Sequence, residues 1–406
     1  MTITKEYMID ICTKVSAELK VGKKQVQNVI DLLEDGNTVP FIARYRKEMT
    51  GSMDEVQIRE VQTRLNYLEG LHKRKEEILR IVNEQEKLTP DLEEKIRKAE
   101  KLQVLEDLYR PFKQKRRTKA TVAKEKGLEP LAEWILSFPK TASLEAEASS
   151  YINAEKGIAT VEEALNGAKD IIAETVADDA GLRQWIRTFT FSNGMIHSSV
   201  KNVEKDEKRV FENYYEYEEP IGKIVPHRVL ALNRGEKEDI LRVAIKPDAE
   251  RIVTHMERKY IRFPNNQAAP VVREALADAY KRLIQPSIER EIRGELTEKA
   301  EDRAIHIFAE NLKNLLLQPP LKGRVVLGVD PAYRTGCKLA VVDETGRMEK
   351  VGVIYPHPPV SKREAAKKTV ISIIKEYKVE LVAIGNGTAS RETEQFIAEV
   401  LKELSE

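Results

Sequence analysis

The sequence predicts a multidomain protein, with mainly α-helical N-terminal and central regions followed by a partial α/β domain. Three observations lead there. Apolar residues recur at three- and four-residue spacing through most of residues 5–318, the period of helices with one buried face. Pro319-Pro320, followed by Leu321-Lys322-Gly323, then breaks that pattern. Beyond the break, short apolar runs at 324–330, 337–342, 351–355 and 381–384 enclose one amphipathic stretch at 361–377, in the order strand, strand, strand, helix, strand. The divisions fall at 1–205, 206–320 and 321–406.

A chain of 406 residues has room for two or three domains. Its 41% hydrophobic, 33% charged and 6% aromatic content suits a soluble, helix-rich protein with Lys, Arg and Glu on its surface. No apolar run approaches a membrane span, and the start Met1-Thr2-Ile3-Thr4 has no signal-peptide core. The expected location is therefore the cytoplasm, without membrane contact. Cys12 and Cys337 show no metal spacing, which fits buried thiols in a reducing compartment. With a net charge of +1, any nucleic-acid contact must come from local patches. There is no phosphate loop and no dinucleotide fingerprint, so nucleotide hydrolysis has no support and no cofactor is expected.

The elements follow in order. Residues 5–19 place Met8, Ile11, Cys12, Val15 and Leu19 on one helical face. After Val21-Gly22, the residues Val26, Val29, Ile30 and Leu33 repeat the pattern until Asp35-Gly36 ends it, a helix–turn–helix by arrangement. Segment 38–51 interleaves Arg44, Arg46 and Lys47 with Phe41 and Tyr45. Such a mixture either contacts phosphate and stacks a base, or packs its rings between helices and leaves the cations solvated. A long helix over 55–86 and a return helix, capped at Thr89-Pro90 and carrying Ile96, Leu105 and Leu108, read as a helical hairpin. Lys113, Lys115, Arg116, Arg117 and Lys119 come next, five cations in seven residues with no acid among them. That run either releases counterions from a phosphate backbone or is a solvated face.

Thr160 and Glu163 open a further helix, and Trp185 is expected to anchor a core. Residues 211–219 mix aromatics with acids, which points to packing rather than a phosphate platform. His227 has no nucleophile or carboxylate nearby in sequence and reads as a structural histidine. A strand at 240–245 precedes long helices over 269–318, interrupted at Pro286. Leu276, Ala277, Tyr280 and Leu283 form one apolar face, and Ile305, Phe308, Ala309, Leu312 and Leu315 another.

The strand order after residue 324, with Asp330 closing the first strand, resembles the RNase H-like fold. Within it, Asp330-Pro331-Ala332-Tyr333-Arg334-Thr335-Gly336 and the segment 385–394 resemble the YqgF-type domain of the bacterial Tex family of transcription accessory factors. Segments 38–51, 105–112, 126–131 and 226–236 resemble the same family, so the likeness runs through nearly the whole chain. It implies a cytoplasmic factor that binds single-stranded nucleic acid, RNA or DNA, in its full-length form and works with the transcription machinery. It also implies a continuation into helix–hairpin–helix units and an OB-fold, so the sequence reads as a truncated chain. The implied sheet order is third, second, first, fourth, with the fourth strand parallel to the first and no fifth strand supplied.

An Asp at the carboxyl end of a central strand points into the crevice where α/β sheets place ligands. The crevice residues are Asp330, Arg334, Thr335, Asn386 and Arg391. Two-metal phosphodiester hydrolysis needs carboxylates converging on a pair of ions. Asn386, beyond the fourth strand, is neutral and cannot supply that charge. The expectation is a degenerate, non-catalytic domain with no metal site, inside a nucleic-acid-binding scaffold that uses the cations at 44–47 and 113–119. One alternative is a metal-dependent, structure-specific nuclease using Asp330 with Glu392 or Glu394. Another is a protein-interaction module docking through its long helices.

Overall fold

The computed structural model describes residues 5–140, 143–319 and 321–405. Pro320 of the predicted break and the first four residues lie outside these. Contacts divide the chain into two units, residues 1–305 and 306–406.

In the first unit, α1 (Lys5–Leu19) and α2 (Lys23–Glu34) pack with α3 (Val39–Tyr45), α4 (Lys47–Thr50) and the first half of α5 (Glu55–Glu84). Their apolar stripes meet in one core that includes Ile11, Val15, Val29, Ile30, Ile42 and Ile58. Gly51 ends α4 with φ +66°, a conformation most side chains resist. Asp54 caps α5 by accepting the Gln57 amide at 2.8 Å. The expected hairpin is present, but its return leg is two helices, α6 (Pro90–Lys98) and α7 (Leu102–Tyr109). Ala99 is extended, with ψ 124°, and breaks the leg there. Thr89 caps α6 by accepting the Leu92 amide at 3.3 Å, as its position before Pro90 suggested.

The helices α8 (Lys119–Glu125), α9 (Glu129–Leu136), α10 (Leu144–Ser149), α11 (Val161–Ala177) and α12 (Ala180–Asn193) follow. Thr160 caps α11 by accepting the Glu163 amide. A three-stranded antiparallel sheet then forms from β1 (Met195–Val200), β2 (Glu216–Pro220) and β3 (Leu241–Lys246), in the order β2-β1-β3. Only β3 was visible in the sequence. The other two are short and polar, and Phe211, Leu232 and Val243 supply much of the small core beneath them. Helices α13 (Pro226–Lys237), α14 (Ala249–Tyr260), α15 (Ala269–Asp278) and α16 (Gln285–Leu316) complete the unit, the last running on past its boundary.

Pro286 does not interrupt the long helix as expected. Residues Ala279–Ile284 form a π-helical turn that joins α15 to α16. The wider turn accommodates a proline that lacks a donor and would clash with an α-helical carbonyl. On α16 the apolar face at Ile305, Phe308, Leu312 and Leu315 is exposed.

In the second unit, β4 (Val326–Asp330), β5 (Cys337–Val342), β6 (Met348–Ile354) and β7 (Leu381–Ile384) form one sheet in the order β6-β5-β4-β7. The crossover helix α17 (Arg363–Tyr377) returns the chain so that β7 runs parallel to β4, with Val329 opposite Ile384. With α18 (Ser390–Ser405), α17 covers one face through Val370, Ile373, Phe396 and Val400, packed on Leu327, Val329, Leu339 and Val341. On the other face Gly328, Ala340, Val351, Val353 and Ala383 line an open groove of about 660 Å³. The expected strand order, and helical regions followed by an α/β domain, are what the structure contains.

Candidate nucleic-acid interface

Asp330 ends β4, paired with Lys338 of β5. The loop after β7 crosses close by: the Gly385 amide donates to the Val329 carbonyl at 2.8 Å, and a Cβ at Gly385 would sit 3.2 Å from Pro331. Asp330 and Asn386 therefore lie at the carboxyl edge of adjacent parallel strands. The Asp330 carboxylate is 71% exposed and its nearest cation is Lys338, at 3.8 Å. Glu392, in the first turn of α18, accepts the Tyr333 hydroxyl at 2.9 Å. Hydrogen bonds from its own amide and from Tyr333 hold its carboxyl below the usual range. Glu394, Arg334, Thr335 and Arg391 are exposed. Among the described residues, no three His, Cys, Asp or Glu side chains are gathered as a metal site.

Beneath this crevice lies a polar chain that the sequence did not signal. His357 is 5% exposed and its Nε2 lies 2.9 Å from Thr393 Oγ1, which is 3.7 Å from Cys337 Sγ. Burial pushes the His357 pKa down, so its ring is neutral at pH 7. The loop geometry above depends on Gly336, where φ is +76° and a Cβ would meet Tyr355 at 2.7 Å and the Ile354 carbonyl at 2.9 Å.

The basic run follows α7. Lys113, Arg116, Arg117 and Lys119 are exposed, whereas Lys115 is partly buried against Asp178 and lies 3.6 Å from Glu174. Arg117 pairs loosely with Glu125 at 3.2 Å. Lys113 and Lys115 also line a cleft of about 1130 Å³ that Lys87, Lys98 and Lys124 share. In segment 38–51 the rings divide. Ile42 is fully buried, but Tyr45 is 61% exposed and Phe41 36%. Their centroids are 5.2 Å apart, the Arg46 guanidinium lies 5.1 Å from the Phe41 ring, and Arg44 and Lys47 are exposed. His227 is exposed at the start of α13.

A buried charge network was also missed. Arg183, with no exposure, donates to Asp107 at 2.9 Å, to Ser287 at 2.8 Å and to Glu291 at 2.7 Å. Arg187 binds the second oxygens of both acids at 2.7 Å. These contacts tie α7, α12 and α16 together, from positions more than 70 residues apart in sequence, so no local signal betrays them.

Three family models match successive parts of the chain. A Tex-like N-terminal domain matches residues 9–83, a Tex central region 140–308 and a Tex YqgF-like domain 324–406. Protein YdcI of Bacillus subtilis is 59% identical over 392 residues, covering 96% of this chain and 54% of that protein. Transcriptional accessory protein Tex of Neisseria gonorrhoeae is 39% identical, covering 98% of this chain and 52% of its own length. Human S1 RNA-binding domain-containing protein 1 is 32% identical, covering 92% and 38%. The chain thus spans about half the length of the bacterial relatives it matches. No described helix is long and apolar enough to cross a membrane. Three Tex models in their order, with relatives aligned across nearly all of its residues, make this chain a member of the Tex family.

Proposed function

We propose that this chain is the nucleic-acid-binding scaffold part of a cytoplasmic transcription accessory protein, with a ribonuclease-type domain that holds nucleic acid without cleaving it. The observation that carries the binding reading is the outward-facing cluster of Phe41, Tyr45, Arg44 and Lys47. Exposed rings set among cations suit a strand whose bases stack while its phosphates are neutralised. The exposed cations at 113, 116, 117 and 119 add a second patch, beside a cleft whose lysines are interspersed with Asp91, Glu174 and Asp178. The names of two relatives, one a transcriptional accessory protein and one an S1 RNA-binding domain-containing protein, agree with this reading.

The non-catalytic part rests on charge. Two divalent ions need several anionic ligands at once. Asp330 stands beside a lysine, Glu392 is held by a tyrosine, and the residue beyond β7 is a neutral Asn386. The test of binding is fluorescence anisotropy with labelled single-stranded RNA and DNA across a salt series. Reversing Lys113, Arg116 and Arg117 to Glu is expected to weaken binding and flatten its salt dependence by about three phosphate contacts. Unchanged affinity and slope would remove this patch from the interface.

A further inference from the structure

Helices α12 and α14 face each other with rings and cations in register. Trp185 and Phe189, four residues apart, share one face of α12, and Arg251 and His255 share one face of α14. Across the pair, Trp185 stacks on His255 with centroids 3.6 Å apart and planes within 8°. Trp185 also stacks on Phe189 at 5.0 Å, and the Arg251 guanidinium lies 5.1 Å from the Phe189 ring. Burial and the nearby Lys259 and Arg258 hold the His255 pKa down, so a neutral ring lies on the indole at pH 7.

Trp185 packs against the core as the sequence suggested, but the stack does not end there. All three rings are partly exposed and wall a recess of about 490 Å³. That volume lies within the range of about 300–1,000 Å³ typical of sites for a single small ligand. Arg258 and Glu250 stand on its rim, both exposed and neither in an ion pair among the described residues. Asp248 is occupied as the α14 cap, accepting the Arg251 amide. The recess thus combines stacked rings, an unpaired cation and an unpaired carboxylate.

We propose that this recess is a nucleobase subsite for single-stranded nucleic acid. It rests on the nucleic-acid reading above. One base extends the ring stack, since every base offers a π-face. Arg258 takes the adjoining phosphate, and Glu250 accepts from an exocyclic amine. Cytosine, adenine and guanine carry that amine and uracil does not, so the subsite favours cytidine over uridine.

The chain contains two tryptophans, Trp134 and Trp185, so Trp134→Phe leaves Trp185 as the sole indole reporter. The full chain is titrated with oligocytidylate and oligouridylate, following indole emission and, in parallel, anisotropy of the labelled strand. Saturable quenching that is tighter with oligocytidylate is expected. Arg258→Glu should lower affinity at least about fivefold, and Glu250→Gln should narrow the gap between the two strands, as expected for one phosphate and one base contact. Binding seen by anisotropy with unchanged Trp185 emission and unchanged Arg258→Glu affinity would overturn the subsite while leaving the nucleic-acid reading intact. If neither strand binds at all, both readings fail.

Discussion

Replacing Asp107 with Ala removes one of two acids from a network whose centre, Arg183 and Asp107, is out of contact with water, while Arg187 and Glu291 are 16% and 20% exposed. The carboxylate is 3% exposed and accepts from two guanidinium groups, Arg183 at 2.9 Å and Arg187 at 2.7 Å. Arg183 would be left fully buried with Glu291 and Ser287 as its remaining partners, and its Nη1 already has none. Breaking a buried pair by removing one partner costs about 3–5 kcal/mol, because the surviving charge keeps its desolvation penalty. Glu291 still answers both arginines, which places the expected loss near the lower end, about 3 kcal/mol. The exposed pair Lys95–Asp91 is the control, since its removal should cost less than about 1 kcal/mol. Both tryptophans lie in residues 1–305, so urea unfolding followed by indole emission reports this unit. A loss under about 1 kcal/mol for Asp107→Ala would refute the view that this network holds α7 to α12 and α16.

Three further predictions follow from particular contacts. Thr393→Val leaves buried His357 without its hydrogen-bond partner, at a cost of about 1–3 kcal/mol, and should speed amide exchange in β5 while sparing residues 1–305. Gly336→Ala forces a side chain into φ +76° against Tyr355 and the Ile354 carbonyl, and should loosen the loop before β5 by the same exchange measurement. Hydrogen bonds from Lys201 and Lys205 hold Asp239 down to about 2. The unfolded chain therefore takes up its proton first, so the stability this aspartate adds is complete above about pH 4 and is lost as pH falls towards 2. Asp239→Asn should flatten that acid limb in urea midpoints measured across pH, and an unaltered limb would dismiss the contribution.

What the sequence revealed divides along a physical line. Local patterns were legible: the stripes of α1, α2 and α5, the caps at Thr89 and Thr160, and the apolar runs that became β4, β5 and β7. Asp330 was found because a strand end is a local feature and its crevice follows from topology. Three things were hidden. The strands β1 and β2 carry few apolar residues, and pairing with β3 defines them more than their own composition. The π turn before Pro286 is a backbone adjustment with no sequence signature of its own. The network around Arg183 and the stack at Trp185 join positions far apart in sequence, where spacing says nothing about proximity. Segment 38–51 is the intermediate case. Its composition allowed either packing or contact with a strand, and only the fold turned Tyr45 outward while burying Ile42.

The most direct test of a domain that holds without cutting is incubation of the chain with labelled single-stranded and branched RNA and DNA in Mg²⁺ or Mn²⁺, beside Asp330→Asn. The account predicts bound, intact strands in both cases, because Asp330 stands beside Lys338, Glu392 accepts from Tyr333, and no three His, Cys, Asp or Glu side chains gather as a metal site among the described residues. Cleavage by the unaltered chain that disappears in Asp330→Asn would contradict it.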